Sequence, residues 1–331
     1  MFKFHVGADM SKHYFDASYI SEGKPIYVGR FDNANDGYKK CIKQLGELSG
    51  VSPEHWFICF ENTGVYSKEF LYWLLSKDIA CKEECALKIC KSLGIRRGKD
   101  DKTDSKDIAR YCFEKRDTIQ RSVLASPTIK NLKRLLSRRD FIVKRKVSFE
   151  NSLVDQKSVT DEQIYEMLEI DNKRVIEELK KQIKNLDKVI NQLILSNEET
   201  KKNYELAKSV KGIGPVISAY MIAFTENFTC FEHARKFACY AGIAPFPNQS
   251  GTKMGKSQVS HMANKKIKSL LSNGVNAAIM YDKQIAIYYQ RKIAEGKDKG
   301  VVYNAIKNKL VQRVFAVIKR QTPFVCLNNY A

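Results

Sequence analysis

Phe2-Lys3-Phe4-His5-Val6 places an apolar residue at every second position, and the runs His13–Ile20 and Pro25–Phe31 follow on either side of Ser21-Glu22-Gly23-Lys24. Strand side chains alternate between two faces, so a period of two marks a half-buried strand, and a short polar segment with glycine supplies the reversal. The reading is three consecutive strands joined by hairpins. Working outward, the pattern predicts a helix over 36–48, a buried strand over 54–60, a helix over 67–76, a short strand over 79–83 and a helix over 86–92. Three strands followed by alternating helices and strands predict a mixed α/β sheet with helices on its faces.

At 331 residues the chain exceeds what one core usually serves, so more than one domain is expected. Apolar residues at 44% are enough to fill such cores and exclude a disordered chain. Lys and Arg outnumber Asp and Glu by 57 to 37, giving a net charge of +20 spread along the chain. Such an excess favours polyanions through counterion release and names a partner class, not a reaction. The nine cysteines mostly sit in apolar runs such as Trp56-Phe57-Ile58-Cys59-Phe60 and read as reduced core thiols of a cytoplasmic protein. Cys81, Cys85 and Cys90 lack a paired CxxC spacing and a nearby His, so packing is preferred to zinc. No stretch reads as a signal peptide or a membrane span.

Residues 129–147 keep Leu132, Leu136, Val143 and Val147 at helical spacing while carrying Lys130, Lys133, Arg134, Arg138, Arg139, Lys144, Arg145 and Lys146 against one acid. That is a helix with one packing face and one cationic ridge, suited either to solvent or to a nucleic-acid backbone. From 172 to 196 the apolar residues Ile176, Leu179, Ile183, Leu186, Ile190 and Leu193 alternate spacings of three and four, the mark of a coiled-coil seam. The seam suits a contact between chains or a long hairpin within one chain. Gly212-Ile213-Gly214-Pro215 then opens an apolar helix through Phe224, and a further helix is expected over Phe231–Tyr240. A glycine turn between helices suits backbone amides facing phosphate, although steric need alone also places Gly-Pro before a helix.

Four carboxylates stand out. Asp9 follows the first strand pattern, Glu61 ends the fourth, and Asp104 and Asp107 lie three apart on one helical face. In the expected sheet the first and fourth strands are neighbours with the last helix across them, so the four acids converge. Clustered carboxylates repel and raise one another's pKa, and a divalent cation is the usual reason to keep them together. The plainer reading makes Asp104 the cap of a helix beginning at Ser105 and leaves Asp9 and Glu61 in loops.

Val6-Gly7-Ala8-Asp9-Met10-Ser11-Lys12, Phe60-Glu61-Asn62-Thr63-Gly64 and Lys102-Thr103-Asp104-Ser105-Lys106-Asp107 resemble the three acidic motifs of insertion-sequence 110 family transposases. Gly212-Ile213-Gly214, Tyr240-Ala241-Gly242-Ile243-Ala244-Pro245 and Gln249-Ser250-Gly251 resemble that family's C-terminal domain. Ala8 and Asn62 depart from residues common there, and neither removes a reacting group. The resemblance implies an α/β ribonuclease H-like (RuvC-like) domain over 1–125, a basic helix and coiled-coil arm over 126–208, and a mainly α domain over 209–331. It implies Mg²⁺ (or Mn²⁺) held by Asp9, Glu61, Asp104 and Asp107, and Ser250 as nucleophile, with Lys253 and Lys256 near it. It further implies donor and target DNA, a guide RNA from the element, a homodimer or homotetramer, and a place in the prokaryotic cytoplasm, at the nucleoid during reaction. The competing expectations are a site-specific DNA invertase with the same residues, a structured-DNA nuclease using only the carboxylates, and a nucleic-acid binder without catalysis.

Overall fold

The computed structural model describes residues 2–92, 101–123, 126–250, 253–259 and 263–325, and the side chains of these except 247–250 and 253–258; Cys326 lies outside the described residues. The chain forms two compact units, Met1–Leu124 and Ala125–Ala331.

The first unit is built on a five-stranded sheet of β1 (Phe4–Met10), β2 (Tyr14–Ser21), β3 (Lys24–Asp32), β4 (Trp56–Glu61) and β5 (Cys81–Glu84), in the order β3-β2-β1-β4-β5. The first three strands are antiparallel, as hairpins require, and β4 and β5 run parallel to β1. The helices are α1 (Asn35–Ser49), α2 (Lys68–Ser76), α3 (Ala86–Ser92) and α4 (Asp101–Glu114). β1 runs four residues past Val6, where the pattern of apolar strand formers ends. Burial of Val6, Ala8 and Met10 on one face carries it through Gly7, Ala8 and Asp9, which have little strand propensity of their own.

Alternation along these strands sorts the residues. Phe4, Val6, Ala8, Met10, Trp56, Ile58 and Phe60 face a core shared with Tyr38, Cys41 and Leu45 of α1 and Phe70, Leu71 and Leu74 of α2. Phe57 and Cys59 face the other way, onto Ile89 of α3 and Ile108, Tyr111 and Cys112 of α4. Gly7 decides how closely α4 approaches: a Cβ there would lie 2.1 Å from the Ala109 amide nitrogen and 2.5 Å from the Ser105 carbonyl oxygen. Only glycine lets this helix rest on the middle of β1.

The second unit is mainly helical. α5 (Pro127–Gln156) starts with proline at its first position behind a Ser126 cap, whose hydroxyl accepts from the Ile129 amide. α6 (Glu162–Leu195) returns against it, and α7 (Glu198–Lys208), α8 (Pro215–Thr225), α9 (Ala234–Tyr240), α10 (Lys265–Tyr281), α11 (Lys283–Ala294) and α12 (Lys299–Arg320) complete the unit. The seam expected over 172–196 lies within the longer α6, which packs on α5 of the same chain, and Arg139 pairs with Asp187 across the two. The long hairpin is the arrangement found. Its Ile129, Leu132, Leu136, Ile190 and Ile194 join the same core as Tyr220, Phe237, Leu271, Val275, Leu310 and Val314.

Three expectations need correction. An antiparallel pair, β6 (Pro245–Ser250) and β7 (Lys253–Val259), interrupts the helices; Pro245, Pro247, Gly251 and Gly255 disguise it in the sequence. The helix read from Phe231 begins at Ala234. Cys85, Cys90 and Cys230 are exposed, whereas Cys41, Cys59, Cys81 and Cys112 are buried as read.

Candidate active site

Asp9 lies on the β1 face opposite the α1/α2 core, in phase with Gly7 and His5. Glu61 follows Phe57 and Cys59 on the corresponding face of β4. Ala8 pairs with Phe60 in the parallel register, so Asp9 and Glu61 are the next residue on each of two adjacent strands. α4 crosses this face and contacts β1, β2 and β4. It begins at Asp101, so Asp104 sits inside the first turn rather than capping a helix from Ser105, and neither Asp9 nor Glu61 is in a loop.

The electrostatics of Asp9 register two of the three other expected acids, Asp104 and Glu61, together with Asp101 and Asp16. The Asp9 carboxyl is pushed up to about 7, first by burial and then by the charges of Asp104, Glu61, Asp101 and Asp16. Burial strips water from the anion, and each neighbouring carboxylate adds repulsion. Asp107, one turn beyond Asp104 and only 5% exposed, has Oδ1 3.5 Å from Arg110 Nη1.

Sequence reasoning missed a supporting layer on this face. Asp16 of β2 pairs in register with Asp9 and is 1% exposed. Its Oδ1 accepts from Tyr27 Oη at 2.6 Å, and Arg30 Nη2 lies 2.9 Å from its Oδ2. The same Nη2 is 2.9 Å from Oδ2 of Asp101, the first residue of α4. Ser18 Oγ and Ser105 Oγ share a buried hydrogen bond of 2.7 Å. The available signal was the period of β2, where Asp16 and Ser18 alternate with Phe15 and Ala17; the partners are set by strand register.

The donor set is all carboxylate, the chemistry that hard divalent cations select. A charge of +2 would relieve the repulsion that raises Asp9, so the residues fit such an ion. Among the described residues no three His, Cys, Asp or Glu side chains are gathered tightly enough to hold a metal as they stand. Uncompensated repulsion between carboxylates works in that direction.

Ser250 ends β6, its backbone in register with Lys253 of β7; the side chains of Ser250, Lys253 and Lys256 lie outside the described residues. Gly212 has φ +92, and a Cβ on it would lie 2.6 Å from the Gly274 carbonyl oxygen and 2.7 Å from Ala278 Cβ. Its glycine is explained by the approach of this turn to α10. On α5, Arg134, Arg138, Lys144 and Arg145 are exposed, with Arg138 and Arg145 each within 5.3 Å of the Phe141 ring centroid. Lys130 is half-buried, Lys133 pairs with Glu226 and Lys146 with Glu150, while Arg139 turns inward to Asp187.

Residues 6–156 match the family DEDD_Tnp_IS110, described as a transposase, and residues 204–290 match the Transposase IS116/IS110/IS902 family. The chain belongs to the IS110 family of transposases. The first match spans Asp9, Glu61, Asp104 and Asp107, and the second contains the β6–β7 pair with Ser250. A DEDD transposase domain implies a ribonuclease H-like fold, which the first unit's mixed sheet accommodates.

The pilin gene-inverting protein of Moraxella bovis is 26% identical over 98% of this chain and 98% of its own length, and that of Moraxella lacunata gives the same figures. An uncharacterized 44.8 kDa protein of insertion element IS116 from Streptomyces clavuligerus is 27% identical over 36% of this chain and 29% of its own. This IS110-family member is an enzyme of DNA strand transfer, a transposase or recombinase. No described helix is long and apolar enough to cross a membrane.

Proposed function

We propose that the chain cuts and rejoins DNA through two groups: a Mg²⁺ or Mn²⁺ site made by Asp9, Glu61, Asp104 and Asp107, and the hydroxyl of Ser250 as nucleophile. The observation that carries the reading is the placement of Asp9 and Glu61 at the ends of the adjacent parallel strands β1 and β4, with the Asp9 carboxyl raised by burial and then by Asp104 and Asp101 of α4, Glu61 of β4 and Asp16 of β2. A cation held there supplies Lewis acidity toward phosphate oxygens. The carboxylates of this chain would hold that charge on the sheet, where β4 pairs with β1 and α4 rests on β1 at Gly7. Ser250 Oγ forms the bond to phosphorus, the phosphorus–oxygen bond of the cleaved strand breaks, and the serine's proton ends on the departing oxygen. The phosphodiester energy is retained in the phosphoserine link, and attack by a second strand's hydroxyl reverses the step without ATP.

The cationic face of α5, with Phe141 between Arg138 and Arg145, supports a contact with nucleic-acid backbone. We assign it to the donor and target DNA and to a structured guide RNA encoded beside the gene. Assembly as a homodimer or homotetramer supplies paired sites for paired strands. A second reading, site-specific inversion, is favoured by one observation: the two relatives matched over their full length are pilin gene-inverting proteins.

The test is reconstitution. The full chain, purified with RNA from its own locus, is mixed with plasmids carrying matched donor and target sites. Joined products that require both RNA and Mg²⁺ support the proposal; joining without RNA removes the guide, and nicked products without joining reduce the protein to a nuclease. Inverted products from a single plasmid with two sites favour the second reading.

A further inference from the structure

The carboxylate face carries a fifth acid that the proposed metal set does not use. Asp16 faces Asp9 across the β1–β2 ladder and is 1% exposed. Left ionised and unpaired there, it would compete for a cation or push the neighbouring acids apart. Arg30 prevents this: Nε lies 3.3 Å from Oδ1 and 3.1 Å from Oδ2 of Asp16, and Nη2 lies 2.9 Å from Oδ2. Tyr27 donates a further hydrogen bond to Oδ1. The guanidinium is itself fixed, with its carbon 3.9 Å from the Tyr14 ring centroid.

The same guanidinium reaches Asp101 at the start of α4. The N-terminal half of α4 therefore meets the sheet at three points: Arg30 on Asp101, Ser18 on Ser105, and Gly7 under Ser105 and Ala109. Asp104 lies between the first two of these, so its carboxylate position depends on them. An arginine fork suits this double duty because its donors have fixed directions; a lysine offers one charge on a flexible stem.

We propose that Arg30 is a positioning residue of the carboxylate site, which holds Asp16 out of the metal-binding set and ties the first turn of α4 to the sheet so that Asp104 faces Asp9. The proposal rests on the metal reading of Asp9, Glu61, Asp104 and Asp107 given above. Partners of metal ligands typically change affinity by about 10–100-fold when removed.

The experiment titrates the full chain with Mn²⁺, following free ion by electron paramagnetic resonance, and records the metal-free melting temperature of each variant by tryptophan fluorescence. Both tryptophans, Trp56 and Trp73, belong to the first unit. Arg30→Gln is expected to weaken Mn²⁺ binding about tenfold or more, and Arg30→Lys to recover part of it. Asp101→Asn loses an ion pair whose partners are 45% and 47% exposed and one of the smaller charges acting on Asp9, so it should leave the metal-free melting temperature nearly unchanged while weakening Mn²⁺ several-fold. A purely structural role would lower melting temperatures without moving the affinity. Wild-type affinity in Asp101→Asn and Arg30→Lys, with Asp104→Asn defective, would overturn the proposal even if Arg30→Gln fails to fold. Wild-type affinity in Asp104→Asn would instead remove the metal site, and the proposal with it.

Discussion

Replacing Asp9 by Asn should make the metal-free protein more stable at alkaline pH while abolishing its chemistry. The Asp9 carboxyl rises from 3.8 to about 7 in the folded chain, chiefly through burial and the Asp104 charge. A carboxyl raised in this way keeps its proton in the native state where the unfolded chain has lost it. Stability therefore falls as pH climbs from about 4 to about 7, and the penalty is constant above that. The difference of about 3 pH units corresponds to a ceiling of roughly 4 kcal/mol at ~1.36 kcal/mol each. Asp9 is only partly buried, and solvent screening brings the expected effect to roughly 1–2 kcal/mol. For a unit of this size that is a gain of about 4–8 °C in melting temperature at pH 8. Asn is close in shape and uncharged, so the gain should vanish below about pH 4, where Asp9 is neutral in both states. Tryptophan fluorescence in EDTA reads the transition of the first unit alone, since Trp56 and Trp73 both lie there. Added Mg²⁺ should stabilise the wild type and leave Asp9→Asn unmoved. An Asp9→Asn protein no more stable than wild type at pH 8, or a difference that does not grow between pH 5 and 8, would refute the repulsive cluster.

Asp107→Asn should reduce Mg²⁺-dependent cleavage by about two orders of magnitude or more while retention of labelled DNA in a gel stays near wild type. Gly7→Ala forces a methyl into the backbone of α4 and should destabilise the first unit by roughly 3 kcal/mol or more, with cleavage lost as Asp104 moves off the sheet; an unchanged urea midpoint would contradict the close packing. Ile183→Asp with Leu186→Asp places two charges in the α5–α6 seam and should lower helical circular dichroism and the stability of the second unit by several kcal/mol, whereas a change in light-scattering mass with helicity intact would point to a contact between chains.

Much of the first unit is legible from its apolar patterning, alternating in the hairpin strands and continuous in β4, which is buried on both faces. Alternation in Phe2–Val6, His13–Ile20 and Pro25–Phe31 finds the hairpins, and Trp56–Phe60 finds the internal parallel strand β4 as a continuous apolar run. What escapes is decided by tertiary contacts. The end of β1 reads as a break because Gly7 and Asp9 are chosen for the helix and the site above them, not for strand propensity. Asp16, Arg30 and Asp101 lie far apart in sequence, and only register and helix placement join them. α6 extends ten residues before the seam's reading, where Ile164, Met167 and Ile170 are exposed and give no buried stripe to detect. The β6–β7 pair carries prolines and glycines that argue against strands, so Ser250 was found through motif resemblance alone.

The nucleophile is the claim most directly open to measurement. Labelled DNA is incubated with the chain and its RNA in Mg²⁺, denatured, treated with protease and resolved by electrophoresis, and the DNA-linked peptide is sequenced by mass spectrometry. The account predicts an adduct within residues 248–256 in the wild type, and none, with no joined product, in a folded Ser250→Ala protein that still binds nucleic acid. Normal cleavage and rejoining by Ser250→Ala would contradict it and assign the attack to water or to a hydroxyl at a DNA end.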